Sequence, residues 1–213
     1  MDRRQYKIYC AGPLFNPKEC ETMSEIAATL EDAGYRVFLP QRDGLELARL
    51  LPVLQEHGMP FRDASSICNK AIFALDVFQI IDTNGLVLNM NGRVPDEGAV
   101  AEAGIAWAHG KPVVIFNTDK RSLVQGNCNP VVMGLGDFKY VTGYDEIRDE
   151  LDRLFADGGP KCVSEPMAPF ELANSRGRQI SEYLATKRPI FDLTELLIEL
   201  FGDSNVKVQK TGT

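Results

Sequence analysis

The stretch Val94-Pro95-Asp96-Glu97-Gly98-Ala99-Val100-Ala101-Glu102-Ala103-Gly104-Ile105-Ala106 decides the fold. An apolar run, Leu86-Val87-Leu88-Asn89-Met90, precedes it, and another, Pro112-Val113-Val114-Ile115-Phe116, follows. Short apolar runs of this kind read as buried strands. The interval holds one helix, starting near Asp96 and stopping near His109-Gly110, where glycine commonly ends a helix. A strand–helix–strand unit builds a parallel sheet. Glu102 is the odd residue in that helix. Its neighbours three and four positions away, Gly98, Ala99, Ile105 and Ala106, are small or apolar. A carboxylate on such a face is directed toward the sheet, and an isolated buried carboxylate is costly enough to need a reason. The helix start weakly favours its anionic form. The alternative is a surface glutamate on a small-residue helix. Asp96 has two readings as well, helix N-cap or site residue.

The chain has 213 residues, 44% hydrophobic and 25% charged, enough for one sizeable core plus an appendage. A formal net charge of -7 argues against a general nucleic-acid binder, which needs a basic face, but leaves room for a small uncharged ligand. The five cysteines, Cys10, Cys20, Cys68, Cys128 and Cys162, are odd in number, and no two have metal-ligand spacing. Reduced thiols in a cytoplasmic, reducing compartment are expected. Only His57 and His109 could add imidazole ligands, which argues against zinc. No secretory leader, no bilayer-length apolar run and no internal repeat is expected, so no membrane partner is either.

Outward from the central unit, Tyr6 to Ala11 reads as the first strand, broken by Gly12-Pro13. Asn16 caps a helix that opens on Pro17, buries Met23, Ile26, Ala27 and Leu30, and stops at Gly34. Tyr35 to Leu39 is strand two, followed by a polar loop, Gln41-Arg42-Asp43-Gly44, at the strand's carboxyl end, where ligands collect in open α/β sheets. Leu45 to Leu51 reads as a short helix, and the rest of residues 45–60 as an excursion, either a lid or packing. From Asp63 to Asp82, Ile67, Ala71, Ala74, Leu75, Phe78 and Ile81 keep helical spacing, with Asp76 beside the apolar stripe, where a solvated flank residue is the alternative reading. Strands three and four are the runs already quoted, and Phe138 to Val141 is a short fifth. Tyr144 to Phe155 closes the domain with Ile147, Leu151 and Leu154 on one face. Asp157-Gly158-Gly159-Pro160 marks a boundary, so residues 1–157 read as the main domain and 158–213 as a helical extension. Its helices, Phe170 to Lys187 and Ile190 to Phe201, need a surface to dock on. The expected class is α/β: a single flavodoxin-like or Rossmann-like domain of about five mostly parallel strands flanked by helices, plus the helical C-terminal extension.

Ile8-Tyr9-Cys10-Ala11-Gly12-Pro13-Leu14-Phe15 resembles the first-strand motif of the nucleoside 2-deoxyribosyltransferase family. Asp96-Glu97-Gly98 through Glu102-Ala103-Gly104-Ile105-Ala106, followed by Gly110-Lys111-Pro112-Val113-Val114, is similar to that family's catalytic helix. With Asp76 and Asn129, the resemblance runs from the first strand to the helix ending near Phe155. It implies a catalytic domain over residues 1–157, with Glu102 as the nucleophile toward the anomeric carbon of a 2'-deoxynucleoside, Asp76 as the proton carrier for the base, and Asp96 as the holder of the sugar hydroxyls and a second candidate for the proton work. Tyr9 would orient Glu102, Phe15 would line the base pocket, and Gln41 would contact sugar or base. Gly12 and Gly98 fall in the same substrate-binding motifs. Asn129 would bind the 5'-hydroxyl from a neighbouring subunit, implying a homo-oligomer, a dimer or a hexamer built from dimers.

The residue types suit that chemistry. N-glycosidic cleavage develops positive charge on the sugar, which a fixed carboxylate stabilises and then captures covalently. A second carboxyl supplies the proton, the two-carboxylate logic of retaining glycosidases. No metal or organic cofactor is required; the partners are 2'-deoxynucleosides and free nucleobases. The alternative within the chemistry is a hydrolase of 2'-deoxynucleoside 5'-monophosphates. Such an enzyme needs a phosphate cradle, and Gly12-Pro13-Leu14-Phe15-Asn16 carries proline and bulky apolar residues instead. The alternative outside it is a non-catalytic nucleotide-binding module on the same fold.

Overall fold

The computed structural model describes residues 2–122, 128–158, 168–186 and 189–202. Strands β1 (Lys7–Ala11), β2 (Arg36–Phe38), β3 (Gly85–Asn89) and β4 (Val113–Phe116) form one parallel sheet in the order β2-β1-β3-β4. Tyr9 pairs with Phe38 on one side of β1 and with Leu86 on the other. Every residue of β3 is buried, which explains why its sequence is a continuous apolar run rather than an alternating one. The chain leaves β1 toward β2 through α1 (Pro17–Asp32) and later returns to β3 on the opposite side of β1. Connections therefore diverge at the carboxyl ends of β1 and β3, the switch point where such sheets bind ligands.

Successive side chains of a strand point to opposite faces. Ile8 and Cys10 of β1, Val87 of β3 and Val114 of β4 pack with Met23, Ile26 and Leu30 of α1 and with Ile147, Leu151 and Phe155 of α7 (Tyr144–Ala156). Asn16 caps α1, its Oδ1 accepting from Glu19 N at 3.0 Å, with Pro17 in the first turn. Tyr9 points to the other face, against which α5 (Glu97–Ala108) lies with Ala99, Ala103 and Ala106 buried. The C-cap of α5 is His109, and Gly110 takes φ 66°, as expected of a helix stop.

Several expected elements take a different form. Gln41 to Asp43 belong to a helical turn, α2 (Pro40–Asp43), and not to a loop; Leu39 N donates to Asp43 Oδ2 at 2.9 Å, closing the turn. The helix expected over Leu45 to Leu51 is α3 (Leu47–Glu56), which runs on past Pro52 because Leu50 and Leu54 are both buried. The fifth strand reduces to one parallel bridge, Phe116 with Val141, beside β4. Val141 N donates to Ile115 O and Asn117 N to Val141 O, but Asp137 (φ 54°) and Phe138 (φ 58°) are left-handed and cannot extend the ladder. Asn129 and Pro130 open a further helix, α6 (Pro130–Leu135), with the same cap-and-proline pair that starts α1.

The chain divides into two units, Met1–Asp43 with Ile80–Glu165 and Gly44–Gln79 with Pro166–Thr213. The first holds the sheet. In the second, α9 (Ile190–Phe201) buries Leu193, Thr194, Leu197, Ile198 and Phe201 and packs on α3 and on α8 (Ala168–Ala185). A Cβ at Gly177 of α8 would fall 1.9 Å from Ala74 O, so only glycine lets the α8 backbone lie on α4 (Phe61–Asp82). His57 Nε2 and Thr194 Oγ1 lie 2.7 Å apart, and Gln79 Nε2 donates to Ser181 Oγ at 2.8 Å. These contacts supply the docking surface that the C-terminal helices required. By length and composition α4 could cross a bilayer, against the expectation that no run is long enough. It carries Asp63, Lys70 and Asp76, and 56% of its apolar window is buried, the character of a core helix.

Candidate active site

Tyr9 and Glu102 meet on the α5 face of the sheet. Tyr9 is fully buried, its ring stacked on Phe38 with centroids 5.4 Å apart. Its hydroxyl donates to Glu102 Oε1 at 2.7 Å. Two features of the sequence bring them together. The small residues Ala99, Ala103 and Ala106 bring α5 close to the strands, and Glu102, three and four residues from two of them, shares their side of the helix. Glu102 is thus a half-buried carboxylate turned toward β1, as its apolar helix neighbours require, and not a surface residue.

Asp96 caps the same helix. Its Oδ1 accepts from Ala99 N at 2.6 Å, within the range of a charge-assisted hydrogen bond. A Cβ at Gly98 would lie 3.2 Å from that oxygen, so glycine leaves the capping carboxylate its room. Both readings of Asp96 are compatible with this geometry, because the cap holds one oxygen at the carboxyl-end side of the sheet.

Gly12 sits at the carboxyl end of β1 in close contact with its surroundings. A Cβ there would meet Met23 Sδ at 2.5 Å and Asn89 Cβ at 2.8 Å. Its role is therefore to let the loop after β1 lie against the end of β3. Asn89 is buried at that end, its Nδ2 directed at Met23 Sδ (3.4 Å) and its Oδ1 accepting from Asn91 N at 3.0 Å. Phe15, in the same loop, is 82% exposed, with its backbone N–H donating to Glu19 Oε2.

The remaining candidates have these surroundings. Gln41 Nε2 donates to Cys20 O at 2.9 Å and Ser24 Oγ at 2.8 Å, so its side chain is held by α1, while Oε1 is buried without a partner among the described residues. Asn129 is exposed and caps α6, its Oδ1 accepting from Val131 N at 2.9 Å. Asp76 is half-buried on α4, within the second unit.

The Cys10 thiol is pushed up to about 12 by complete burial, which removes it as a nucleophile. Burial also raises the Cys68 thiol. Among the described residues no group of three His, Cys, Asp or Glu could hold a metal ion. Cys162 and the end of the expected helix at Lys187 lie outside the described residues.

Sequence reasoning passed over a network at the carboxyl ends of β3 and β4. Asn91 Oδ1 accepts from Thr118 N (2.7 Å), Thr118 Oγ1 (3.1 Å) and Asp119 N (3.1 Å). Asp119 accepts from Gly92 N (3.2 Å) and binds the Arg121 guanidinium. The Arg121 hydrogen bond holds the Asp119 carboxyl far below the usual carboxylate range. The available signal was the placement of Asn89, Asn91 and Asn117 directly after two apolar strands.

A family model described as nucleoside 2-deoxyribosyltransferase matches residues 8–145. No protein of curated function matches the sequence. Among solved structures, a conserved protein from Enterococcus faecalis is similar at 19% identity, with 70% of this chain and 98% of that chain covered and a TM-score of 0.46. A 2-deoxyribosyltransferase from Bacillus psychrosaccharolyticus is similar at 22% identity, covering 74% and 99%, with a TM-score of 0.48.

Proposed function

Because the chain belongs to the nucleoside 2-deoxyribosyltransferase family, we propose that it cleaves the N-glycosidic bond of 2'-deoxynucleosides and passes the deoxyribosyl group to another purine or pyrimidine base. The observation that carries this reading is the Tyr9 hydroxyl donating at 2.7 Å to a half-buried Glu102. A carboxylate with one oxygen fixed and its helix face otherwise small is pre-oriented, and orientation of a reacting group lowers the barrier strongly.

In the first step a Glu102 carboxylate oxygen bonds to C1' as the C1'–N bond breaks. The bond's electron pair goes to the base nitrogen, which takes a proton from Asp76. The product is a glutamyl deoxyribosyl ester and a free base. In the second step the incoming base attacks C1' and returns its proton to Asp76, and Glu102 leaves as carboxylate. Two displacements retain configuration at C1'. Asp96 is assigned to the sugar hydroxyls, and Phe15 to the base pocket, where its exposed ring is free to stack. Gly12 and Gly98 are assigned to the substrate loops through the room they leave around Asn89 and Asp96. Gln41 is assigned to a contact with the sugar or the base.

Asn129 is assigned to the 5'-hydroxyl of a substrate held by a second copy of the chain. Its exposure, with Val131 78% exposed two residues on, supports that reading. The reading thus includes a homo-oligomer, a cytoplasmic location and a place in nucleoside salvage.

The test is to incubate the protein with 2'-deoxyadenosine, with and without free cytosine, and to identify the products. A new deoxycytidine supports transfer. Free deoxyribose in both tubes makes the protein a hydrolase, and no cleavage in either leaves a binding module. A glutamyl adduct on the peptide containing Glu102, trapped by acid quench without acceptor, tests the covalent step.

A further inference from the structure

We propose that Asp119, working with Asn91, is a positioning residue that holds together the two loops carrying the sugar-binding residues Asp96 and Asn129. The proposal rests on the sugar-binding roles assigned above. One loop leaves β3 at Asn89 and delivers Asp96 to the start of α5. The other leaves β4 at Asn117 and delivers Asn129 to the start of α6.

The clasp is made of hydrogen bonds in both directions. Asn91 Oδ1, on the first loop, takes three donors from Thr118 and Asp119 on the second. Asp119 Oδ2, on the second, takes the Gly92 N–H from the first at 3.2 Å. Gly92 adopts φ 128°, a conformation side chains resist, so its N–H is turned to this acceptor by a backbone only glycine readily adopts. Asn117 Oδ1 also accepts from Asp119 N at 3.0 Å, and Asn117 Nδ2 points to Cys128 Sγ at 3.3 Å, next to Asn129. Arg121 holds the Asp119 carboxylate through its backbone N–H at 3.0 Å and its guanidinium, fixing the rotamer. The Asp119 side chain is only 13% exposed, whereas Arg121 is 73% exposed. The aspartate is therefore the member at the junction, and the arginine is its outer support.

A carboxylate in this place acts through other residues and touches no substrate. Its removal should affect only what Asp96 and Asn129 do. The test compares wild type with Asp119→Ala and Asp119→Asn on 2'-deoxyadenosine and on its 5'-deoxy analogue, which lacks the hydroxyl assigned to Asn129. A displaced binding group typically loses tenfold or more, so kcat/KM of D119A on 2'-deoxyadenosine should fall about tenfold, mostly through KM. On the 5'-deoxy analogue the fall should be smaller, about threefold, because the Asn129 contact is already absent and only the Asp96 contact remains to be lost. D119N keeps an acceptor for Gly92 N and should recover most of the activity; it also serves if D119A fails to fold. Hydrogen exchange should quicken in both loops, 91–96 and 128–131, in D119A. An equal loss on the two substrates, or exchange unchanged in the second loop, overturns the proposal. A wild type that releases no base from either substrate overturns the functional reading itself, and this proposal with it.

Discussion

Replacing Tyr9 by phenylalanine removes one oxygen atom from a fully buried ring and leaves its stacking on Phe38 in place. What is lost is the 2.7 Å hydrogen bond to Glu102 Oε1. Two effects then oppose each other. The hydrogen bond stabilises the glutamate anion, and that charge leaves Glu102 as it attacks C1', so the bond slows the first step electrostatically. It also holds the carboxylate in one rotamer aimed along one line. Hydrogen bonds to charged groups contribute about 1.5–3 kcal/mol, and each ~1.4 kcal/mol of barrier is tenfold in rate. If orientation dominates, single-turnover base release in Tyr9→Phe falls roughly 10- to 100-fold with KM nearly unchanged. Global stability should fall by only about 1 kcal/mol, lowering Tm by roughly 2–4 °C, because volume is conserved. The assay is quenched-flow release of adenine from 2'-deoxyadenosine, with thermal melting alongside. A variant that releases base as fast as wild type, or faster, would refute the orienting role. Acceleration would mean that the electrostatic restraint on attack outweighs positioning.

Three further outcomes follow from contacts away from the reacting pair. Gly12→Ala forces a methyl to within 2.5 Å of Met23 Sδ and 2.8 Å of Asn89 Cβ, so chemical denaturation should show a loss of about 1–3 kcal/mol. Removing the sulfur as well, in Gly12→Ala/Met23→Ala, should not restore stability, since the clash with Asn89 persists. Asp152 accepts from Arg3 Nη2 at 2.6 Å and Tyr35 Oη at 2.7 Å, and these hydrogen bonds, Arg3's first, hold its carboxyl below the usual range. A depressed folded value stabilises the protein above the unfolded value of about 3.9 and loses that stability as pH falls through the folded one. Asp152→Asn should therefore be about 1–2 kcal/mol less stable at pH 7, with the gap to wild type closing below about pH 4 in urea titrations. Cys10, its thiol raised to about 12 by burial, should resist iodoacetamide at pH 8 in the native protein and react once denatured, as read by peptide mass; native labelling would contradict its complete burial.

The elements legible in the sequence were those whose burial is one-sided or complete. The α1 stripe of Met23, Ile26, Ala27 and Leu30 is the buried set observed, and Asn16 and Pro17 mark its start. β3 and β4 lie within their apolar runs because strands buried on both faces tolerate few polar residues. Legibility failed where backbone conformation, not composition, decides. Phe138 to Val141 has the composition of a strand, yet the left-handed Asp137 and Phe138 leave it a single bridge. The helix expected to stop at Leu51 runs on, because Leu54 beyond it is fully buried and carries α3 through to Glu56. The partner of Gln41 was unreadable because it depends on α2 turning the side chain toward Cys20 and Ser24, a tertiary event with no local signature.

The site shows the same division more sharply. Glu102 stood out as a candidate because it broke a local rule, a charged residue on the small, apolar side of a helix, and such breaks collect at functional sites. Tyr9 could not be paired with it on pattern alone, since one tyrosine in a buried strand is ordinary; only the resemblance suggested the pair. The geometry supplies the missing reason. Lying on the sheet through Ala99, Ala103 and Ala106, α5 carries Glu102 to within hydrogen-bond reach of Tyr9 in β1. A larger side chain at any of those three alanines would lift the helix from the strands. The Tyr9–Glu102 distance, rather than the identity of either residue, is the quantity that depends on those alanines. Ala103, fully buried and one residue after Glu102, is the position where that dependence should be steepest.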